Sequence, residues 1–257
     1  MTILRADFAA GLSLLTRLPT AWLYDPRSPI ELTRSSWCWP LLGGGIGAAT
    51  GSMMVLCIWL GMPAIVATGW AIVLQLFLTG ALHEDGFADT IDGFFGGRTA
   101  ERRLEIMRDS RIGSYGGLAL SVVMLLRAGT MTTLAAQPLH IVSILATAGA
   151  FSRLSLMLPL LWLRPARADG LAHELRHLPA RCLLVAIFFT ALIASSLSLL
   201  GALSLFLAAC LATLGLCSVA YRLVGGYTGD VLGATAIITE LVVLTGASLH
   251  GFDKLPF

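Results

Sequence analysis

Asp85, Asp89 and Asp92 stand at i, i+4 and i+7. On an α-helix, at about 100° per residue, they fall within roughly 60° of one another on one face. Three bare carboxylates so placed repel. A divalent cation relieves the repulsion, and Mg²⁺ suits the site because it takes oxygen ligands and often bridges carboxylates to substrate phosphates. Glu84 sits about 100° around the helix from Asp85; it joins the metal set from the first turn or steadies the helix N-terminus. Gly86 and Gly93 are poor helix formers, and their expected use is close approach of a ligand or another helix. The competing reading is a solvated acidic face. Against it, Phe87, Ala88, Ile91, Phe94 and Phe95 make the segment too apolar for a free loop. Acids held at a membrane boundary are expected instead, where unpaired charge is costly.

A basic stretch follows, with Arg98, Arg102, Arg103, Arg108 and Arg111. Glu101 and Glu105, with Arg102 and Arg103 between them, predict an exposed helix laced with ion pairs. Arg108-Asp109-Ser110-Arg111-x-Gly113 has different chemistry: guanidinium forks match phosphate oxygens, and glycine exposes backbone amides. The competing reading is a plain loop entering the next helix. A second polar loop, Gly225-Gly226-Tyr227-Thr228-Gly229-Asp230, offers a tight turn, with Asp230 as helix cap, metal ligand or both. His83 is placed to carry a proton, although a lone interfacial histidine is more often structural. Arg127, Arg153 and Glu240 lie inside apolar runs, where charge must pair or face a polar cavity. A structural Arg–Glu pair and a substrate contact are equally open for them.

The elements that must position these groups are set by composition. Of 257 residues, 56% are hydrophobic and 12% charged, and the mean hydropathy is +0.82. A soluble domain carries about 25% charged residues, so the chain is expected to be an integral membrane protein folded as one all-α helical domain over residues 1–257. Five cysteines without a CxxC pair read as buried small hydrophobes rather than a disulfide or zinc framework. Residues 1–36 are expected to form a short interfacial helix (about 5 to 18) and a turn containing Pro19, Pro26 and Pro29. Seven apolar runs follow, at about 37–60, 63–83, 116–135, 139–162, 182–200, 202–223 and 231–250, each expected to span as a helix. Gly43, Gly47 and Gly51 form a small-xxx-small ridge suited to helix packing. Lys and Arg fall in alternate connections, so the positive-inside rule puts the N-terminus, the 84–115 catalytic segment, the 164–181 loop and the 225–230 loop on the cytoplasmic face. The C-terminus lies outside, with Lys254 the one base on that side.

His83-Glu84-Asp85-Gly86-x-Ala88-Asp89-x-x-Asp92-Gly93, followed by Arg102-Arg103-Leu104-Glu105-Ile106-Met107-Arg108-Asp109-Ser110-Arg111-Ile112-Gly113-x-Tyr115-Gly116, closely resembles the cobalamin synthase family, adenosylcobinamide-GDP ribazoletransferase. Leu15-Thr16-Arg17-Leu18-Pro19 and Gly225-Gly226-x-Thr228-Gly229-Asp230-x-Leu232-Gly233-Ala234 are similar to flanking motifs of that family. Glu84 stands where some members carry an apolar residue. The resemblance implies a Mg²⁺-dependent transfer at a bacterial inner membrane. The 5′ oxygen of α-ribazole, or of its 5′-phosphate, attacks the cobinamide-linked phosphorus of adenosylcobinamide-GDP and releases GMP. Phosphoryl transfer of this kind rests on positioning and charge neutralisation. The expected metal ligands are Glu84, Asp85, Asp89 and Asp92, and the expected catalytic acids Asp85, Asp89 and Asp109. Arg98, Arg108, Ser110, Arg111, Gly113, Gly226, Thr228 and Asp230 form the expected substrate-binding set, with His83, Arg153 and Glu240 as outer candidates. The implied partners are the two substrates and the lipid bilayer, with no nucleic acid and a homo-oligomer left open. A lipid-making enzyme like the CDP-alcohol phosphotransferases is the enzymatic alternative, but after Asp85-Gly86 this chain has Asp89 and Thr90 where that family's Ala and Arg would stand. An ion transporter is the alternative from another class, and its charges belong near the bilayer midplane.

Overall fold

The computed structural model describes residues 2–23, 31–109 and 111–249; Pro26, Pro29, Ser110 and Lys254 lie outside them. The described residues are all-α, apart from one isolated parallel bridge between Pro165 and Tyr227. Helix α1 (Thr2–Leu15) turns Ala6, Ala9, Ala10 and Leu15 inward. Its buried Asp7 accepts a hydrogen bond from Arg34 at 2.7 Å. The short α2 (Leu32–Ser35) and a 3₁₀ turn (Ser36–Cys38) lead into α3 (Trp39–Trp59). Pro40 sits in the first turn of α3, where its missing N–H leaves no broken bond.

Helix α4 (Ala64–Thr79) starts after Pro63 and stops at Gly80, which is left-handed at φ 64. Ala81 follows at φ 56, a conformation that residues with a Cβ seldom adopt. Two successive left-handed residues make a corner, and α5 (Leu82–Gly96) leaves α4 at 87°. Arg17 braces that corner. Its backbone N–H donates to the Leu78 carbonyl at 2.8 Å, and its side chain lies where any Cβ on Gly80 would collide with it. The Leu15–Pro19 segment is thus built against the entry to the acidic helix.

The chain continues through α6 (Ala100–Ile106), whose first turn is capped by the Thr99 hydroxyl, then α7 (Ser114–Leu134), α8 (Pro138–Ser155) and α9 (Met157–Trp162). It ends with α10 (Leu171–Glu174), α11 (Ala180–Ala194), α12 (Leu199–Val224) and α13 (Gly229–Ala247). The glycine ridge on α3 is a backbone contact with α8. Gly43 faces the Gly149 carbonyl, Gly47 the Leu145 carbonyl and Gly51 the Cα of Val142. In lipid, where apolar side chains gain nothing from leaving the solvent, such close packing holds helices together. The five cysteines are all free thiols, as expected, four of them buried and Cys210 half-buried.

The seven expected spans are met in part. Five helical stretches among the described residues are long and apolar enough to cross a bilayer: Leu32–Trp59, Ser114–Leu134, His140–Trp162, Leu199–Val224 and Gly229–Ala247. A sixth counts only if α4 and α5 are taken together across their bend. The 63–83 run turns at Gly80–Ala81 after a 16-residue helix, and the 182–200 run yields a helix of 15 residues. At 1.5 Å per residue these rise about 24 and 22 Å, short of a core of about 30 Å. The chain is a multi-pass membrane protein on the five longer helices alone.

Candidate active site

Helix α5 meets α13 backbone to backbone. A Cβ on Gly86 would lie 3.0 Å from the Cα of Asp230, and one on Gly233 would lie 3.3 Å from the Cα of Gly86. The close approach expected of Gly86 is therefore to another helix. It brings Asp230, in the first turn of α13, beside Asp85 and Asp89 of α5. Asp85 is exposed, while Asp89 and Asp230 are half-buried. Burial pushes the Asp89 carboxyl up to about 7, helped by the negative charges of Asp85, Asp230 and Asp92 and opposed by Arg167. Asp230 accepts a hydrogen bond from the Thr228 hydroxyl at 3.1 Å, and Arg167 Nη1 lies 3.9 Å from the same oxygen.

The other two expected metal ligands are occupied elsewhere. Asp92 is 6% exposed and caps α7 from outside that helix: its Oδ2 accepts from the Gly113 amide at 2.7 Å and its Oδ1 from the Gly116 amide at 2.9 Å. Both glycines are required, because a Cβ at either would strike the carboxylate. Negative charge at a helix N-terminus is favourable, so Asp92 already has its compensation. Glu84 points into the bundle instead of at the acids. Its Oε1 accepts from Arg127 Nη1 at 2.8 Å, and Arg127 Nε lies 3.4 Å from Glu240. Glu240 also accepts from Gln75 at 2.9 Å and has Arg153 3.8 Å away. These residues form a buried network of two acids and two arginines, with His83 enclosed beside both arginines. Glu84 and Asp92 thus each have their charge compensated within the protein. Arg153 and Glu240 are both buried and lie 3.8 Å apart, as a structural pair would.

The basic segment divides. Arg108 places Nη2 2.7 Å from both carboxylate oxygens of Asp169. Arg111 folds back onto Asp109, with its Nη2 donating at 2.8 Å. That contact holds the exposed Asp109 carboxyl down at about 2, a value unsuited to a general base near neutral pH. Asp109 and Arg111 line a cavity of about 500 Å³ with Asp92, Arg102, Ser114 and Tyr115. The expected ion-paired helix is present as Arg102–Glu105 at 2.9 Å. Arg98 is exposed in the turn before α6, and Gly113 is the N-cap of α7. Thr228 is the N-cap of α13, accepting from the Val231 amide at 3.2 Å, and Gly226 packs on the Arg164 carbonyl. Their placement is accounted for by the turn itself.

Arg167 is the residue the sequence reading passed over. It was visible only as one more base in a cytoplasmic loop, whereas the fold brings it to Asp230. Its one signal was a charge within the same basic loop that the topology places on the face of the acids.

A family model described as cobalamin-5-phosphate synthase (CobS) matches residues 7–248. The adenosylcobinamide-GDP ribazoletransferase of Azorhizobium caulinodans is 39% identical over 253 residues, covering 95% of this chain and 96% of that protein. The enzyme of the same name from Allorhizobium ampelinum is 36% identical over 253 residues, with the same coverage. That from Escherichia coli (strain K12 / DH10B) is 36% identical over 241 residues, covering 92% of this chain and 97% of its own. No solved structure matches. A match that runs through the acidic helix, its capping glycines and the late Thr228–Asp230 turn, over nearly the whole length, means that the chain belongs to the cobalamin-5-phosphate synthase family.

Proposed function

We propose that this chain transfers the adenosylcobinamide phosphate of adenosylcobinamide-GDP to a ribose hydroxyl of α-ribazole or α-ribazole 5′-phosphate, releasing GMP. It is a transferase of late cobalamin biosynthesis. The observation that carries the mechanism is the meeting of Asp85, Asp89 and Asp230 where α5 crosses α13. The 5′ oxygen expected above does not serve both acceptors: one that arrives with its 5′-phosphate and keeps it in the product must attack through another ribose hydroxyl. The attacking oxygen bonds to the cobinamide-linked phosphorus, the bond to the GMP oxygen breaks, and the hydroxyl proton passes to a carboxylate.

The donor set fits Mg²⁺. It is all oxygen, and at least one member is destabilised as an anion by its neighbours. No three His, Cys, Asp or Glu side chains among the described residues are drawn together as a closed metal cluster. An ion bound here would therefore take further oxygen ligands from substrate phosphates. Asp85, Asp89 and Asp230 would hold it, and the ion would neutralise charge on the diphosphate. Asp89, titrating near neutrality, also suits proton transfer from the attacking hydroxyl.

The topology we propose has seven crossings, N-terminus in and C-terminus out, in one domain, with α1 interfacial and the active site on the cytoplasmic face of a bacterial inner membrane. Contacts among the basic connections support it. Arg17 meets Leu78, Arg167 meets Leu104, Arg108 meets Asp169, and Tyr227 meets Arg164. These connections share one end of the bundle, and in this reading the short α4 and α11 traverse it. The acids at that end, rather than at the midplane, favour a transferase over a transporter.

The test is GMP release by purified protein in nanodiscs from adenosylcobinamide-GDP, α-ribazole and Mg²⁺. Well-folded protein that yields no GMP ends this reading. The same assay carries a pH prediction. Asp89 must be ionised either to ligate or to accept a proton, and its raised value near 7 places its protonation just below neutral pH. The rate is expected to fall as pH drops through 7, approaching about tenfold per unit at the acid end. A kcat/KM profile flat from pH 8 to 5 would remove Asp89 from the mechanism.

A further inference from the structure

The loop from Leu163 to Gly170 crosses the end of the bundle between α6 and the start of α13. Its backbone is fixed there: the Tyr227 amide donates to the Arg164 carbonyl at 3.0 Å, and the Ala166 amide donates to the Tyr227 carbonyl at 2.8 Å. Arg167 is the next residue. Its Nη2 donates to the Leu104 carbonyl at 2.6 Å. Its Nη1, 3.9 Å from Asp230, is too far for a hydrogen bond. Its Nε is buried without a partner. A guanidinium offers five donors, and a mostly buried one with so few used is poorly satisfied by protein alone. Arg167, Asp169, Tyr227, Thr228 and Asp230 line a cavity of about 190 Å³, room for phosphate groups but not for a nucleotide or a corrinoid.

Two of the three arginines expected to meet phosphate are engaged, and the third, Arg98, is exposed in the turn before α6. Arg111 is folded onto Asp109, and Arg108 lies on both oxygens of Asp169. Among the described residues, Arg167 combines nearness to Asp230 with unused donors. A diphosphate approaching Asp89 and Asp230 meets negative charge, so a cation of the protein is needed beside the metal ion. A guanidinium presents it as a planar fork matched to phosphate oxygens.

Building on the reading of the chain as a ribazoletransferase, we propose that the cavity between the 163–170 loop and the start of α13 is the subsite for the donor's diphosphate, and that Arg167 is the guanidinium that binds it. The inference is tested with Arg167→Gln and Arg167→Lys in the full-length protein in nanodiscs. The expected result for Arg167→Gln is a loss of about 10- to 100-fold in kcat/KM for adenosylcobinamide-GDP, as for a charged hydrogen bond removed, with the KM for α-ribazole unchanged. Competitive inhibition by inorganic pyrophosphate should weaken in parallel, and Lys should restore part of both, having the charge but not the fork. The proposal is overturned if kcat/KM for the donor stays within about twofold of wild type, since a charged contact is worth more than that. It is also overturned if the penalty appears only with α-ribazole 5′-phosphate as acceptor, which would place the acceptor's phosphate in the cavity. Equal losses for donor and acceptor, tracking a lowered melting temperature, would reduce Arg167 to a brace for the loop. If wild-type protein releases no GMP, the transferase reading fails, and direct titration of wild type and Arg167→Gln with pyrophosphate and Mg²⁺ still decides the subsite: equal affinities refute it, and a loss in the variant upholds it.

Discussion

Asp89→Asn is expected to lower GMP release by about three orders of magnitude or more, because it removes a metal ligand and a proton acceptor at once, while leaving the protein at least as stable as wild type. The second half of that expectation makes the variant diagnostic. Burial and the charges of Asp85, Asp230 and Asp92 raise the folded-state value of Asp89 to about 7, whereas an unfolded carboxyl titrates near 3.9. Ionised Asp89 therefore costs folding free energy. The cost is absent below the unfolded value, grows between about pH 4 and 7, and is fully present above 7. Asparagine keeps the shape and removes the charge, so thermal unfolding at pH 8 should rise or stay level as activity disappears. Asp92→Asn should do the reverse. Both Asp92 oxygens accept amides of the α7 N-terminus, and an amide keeps only one acceptor. The variant is expected to lose about 1–2 kcal/mol through its broken cap. Turnover near the wild-type rate in Asp89→Asn would remove it from the site, and an unchanged melting temperature in Asp92→Asn would deny it the capping role.

Arg127→Met should lose about 3–5 kcal/mol, the usual penalty for breaking a buried ion pair from one side. Arg127 is fully buried and is the residue that joins Glu84 on α5 to Glu240 on α13. Without it, Glu84 has no cation, and Glu240 keeps only Gln75 and the more distant Arg153. The variant should therefore insert poorly or unfold at markedly lower temperature in nanodiscs. Glu84→Gln together with Arg127→Met leaves Glu240 facing Arg153 with no surplus charge, and should recover much of the loss. A double-mutant cycle on melting measures this directly. Additive losses in the double variant, or Arg127→Met as stable as wild type, would mean that the network does not hold the two helices together.

What the sequence disclosed, and what it hid, follows from how far each residue's partner lies along the chain. The helical spacing of Asp85 and Asp89 is local and was legible, as was the need for a small residue at Gly86. The cost of charge in an apolar run meant that Arg127, Arg153 and Glu240 either pair or face a polar cavity. Asp92 shares the spacing of the other two aspartates but not their surroundings, because the amides it caps are 21 and 24 residues away. Glu84 finds its arginine 43 positions on. Asp230 joins the acids only through the crossing of α5 and α13, and the spacing of the acidic motif could not count it. Hydropathy does not register the left-handed turn at Gly80–Ala81, so the 63–83 run was carried past the corner at which α4 ends.

Helix α5 is tied down at three levels. Near its start Glu84 is locked to Arg127, at Gly86 it rests on α13, and near its end Asp92 sits on the amides of α7. Each tie uses a different side of the helix, and one residue more or less between them would turn everything beyond by about 100°. The helix therefore behaves as a ruler of fixed length. It tolerates neither insertion nor deletion between residues 84 and 92.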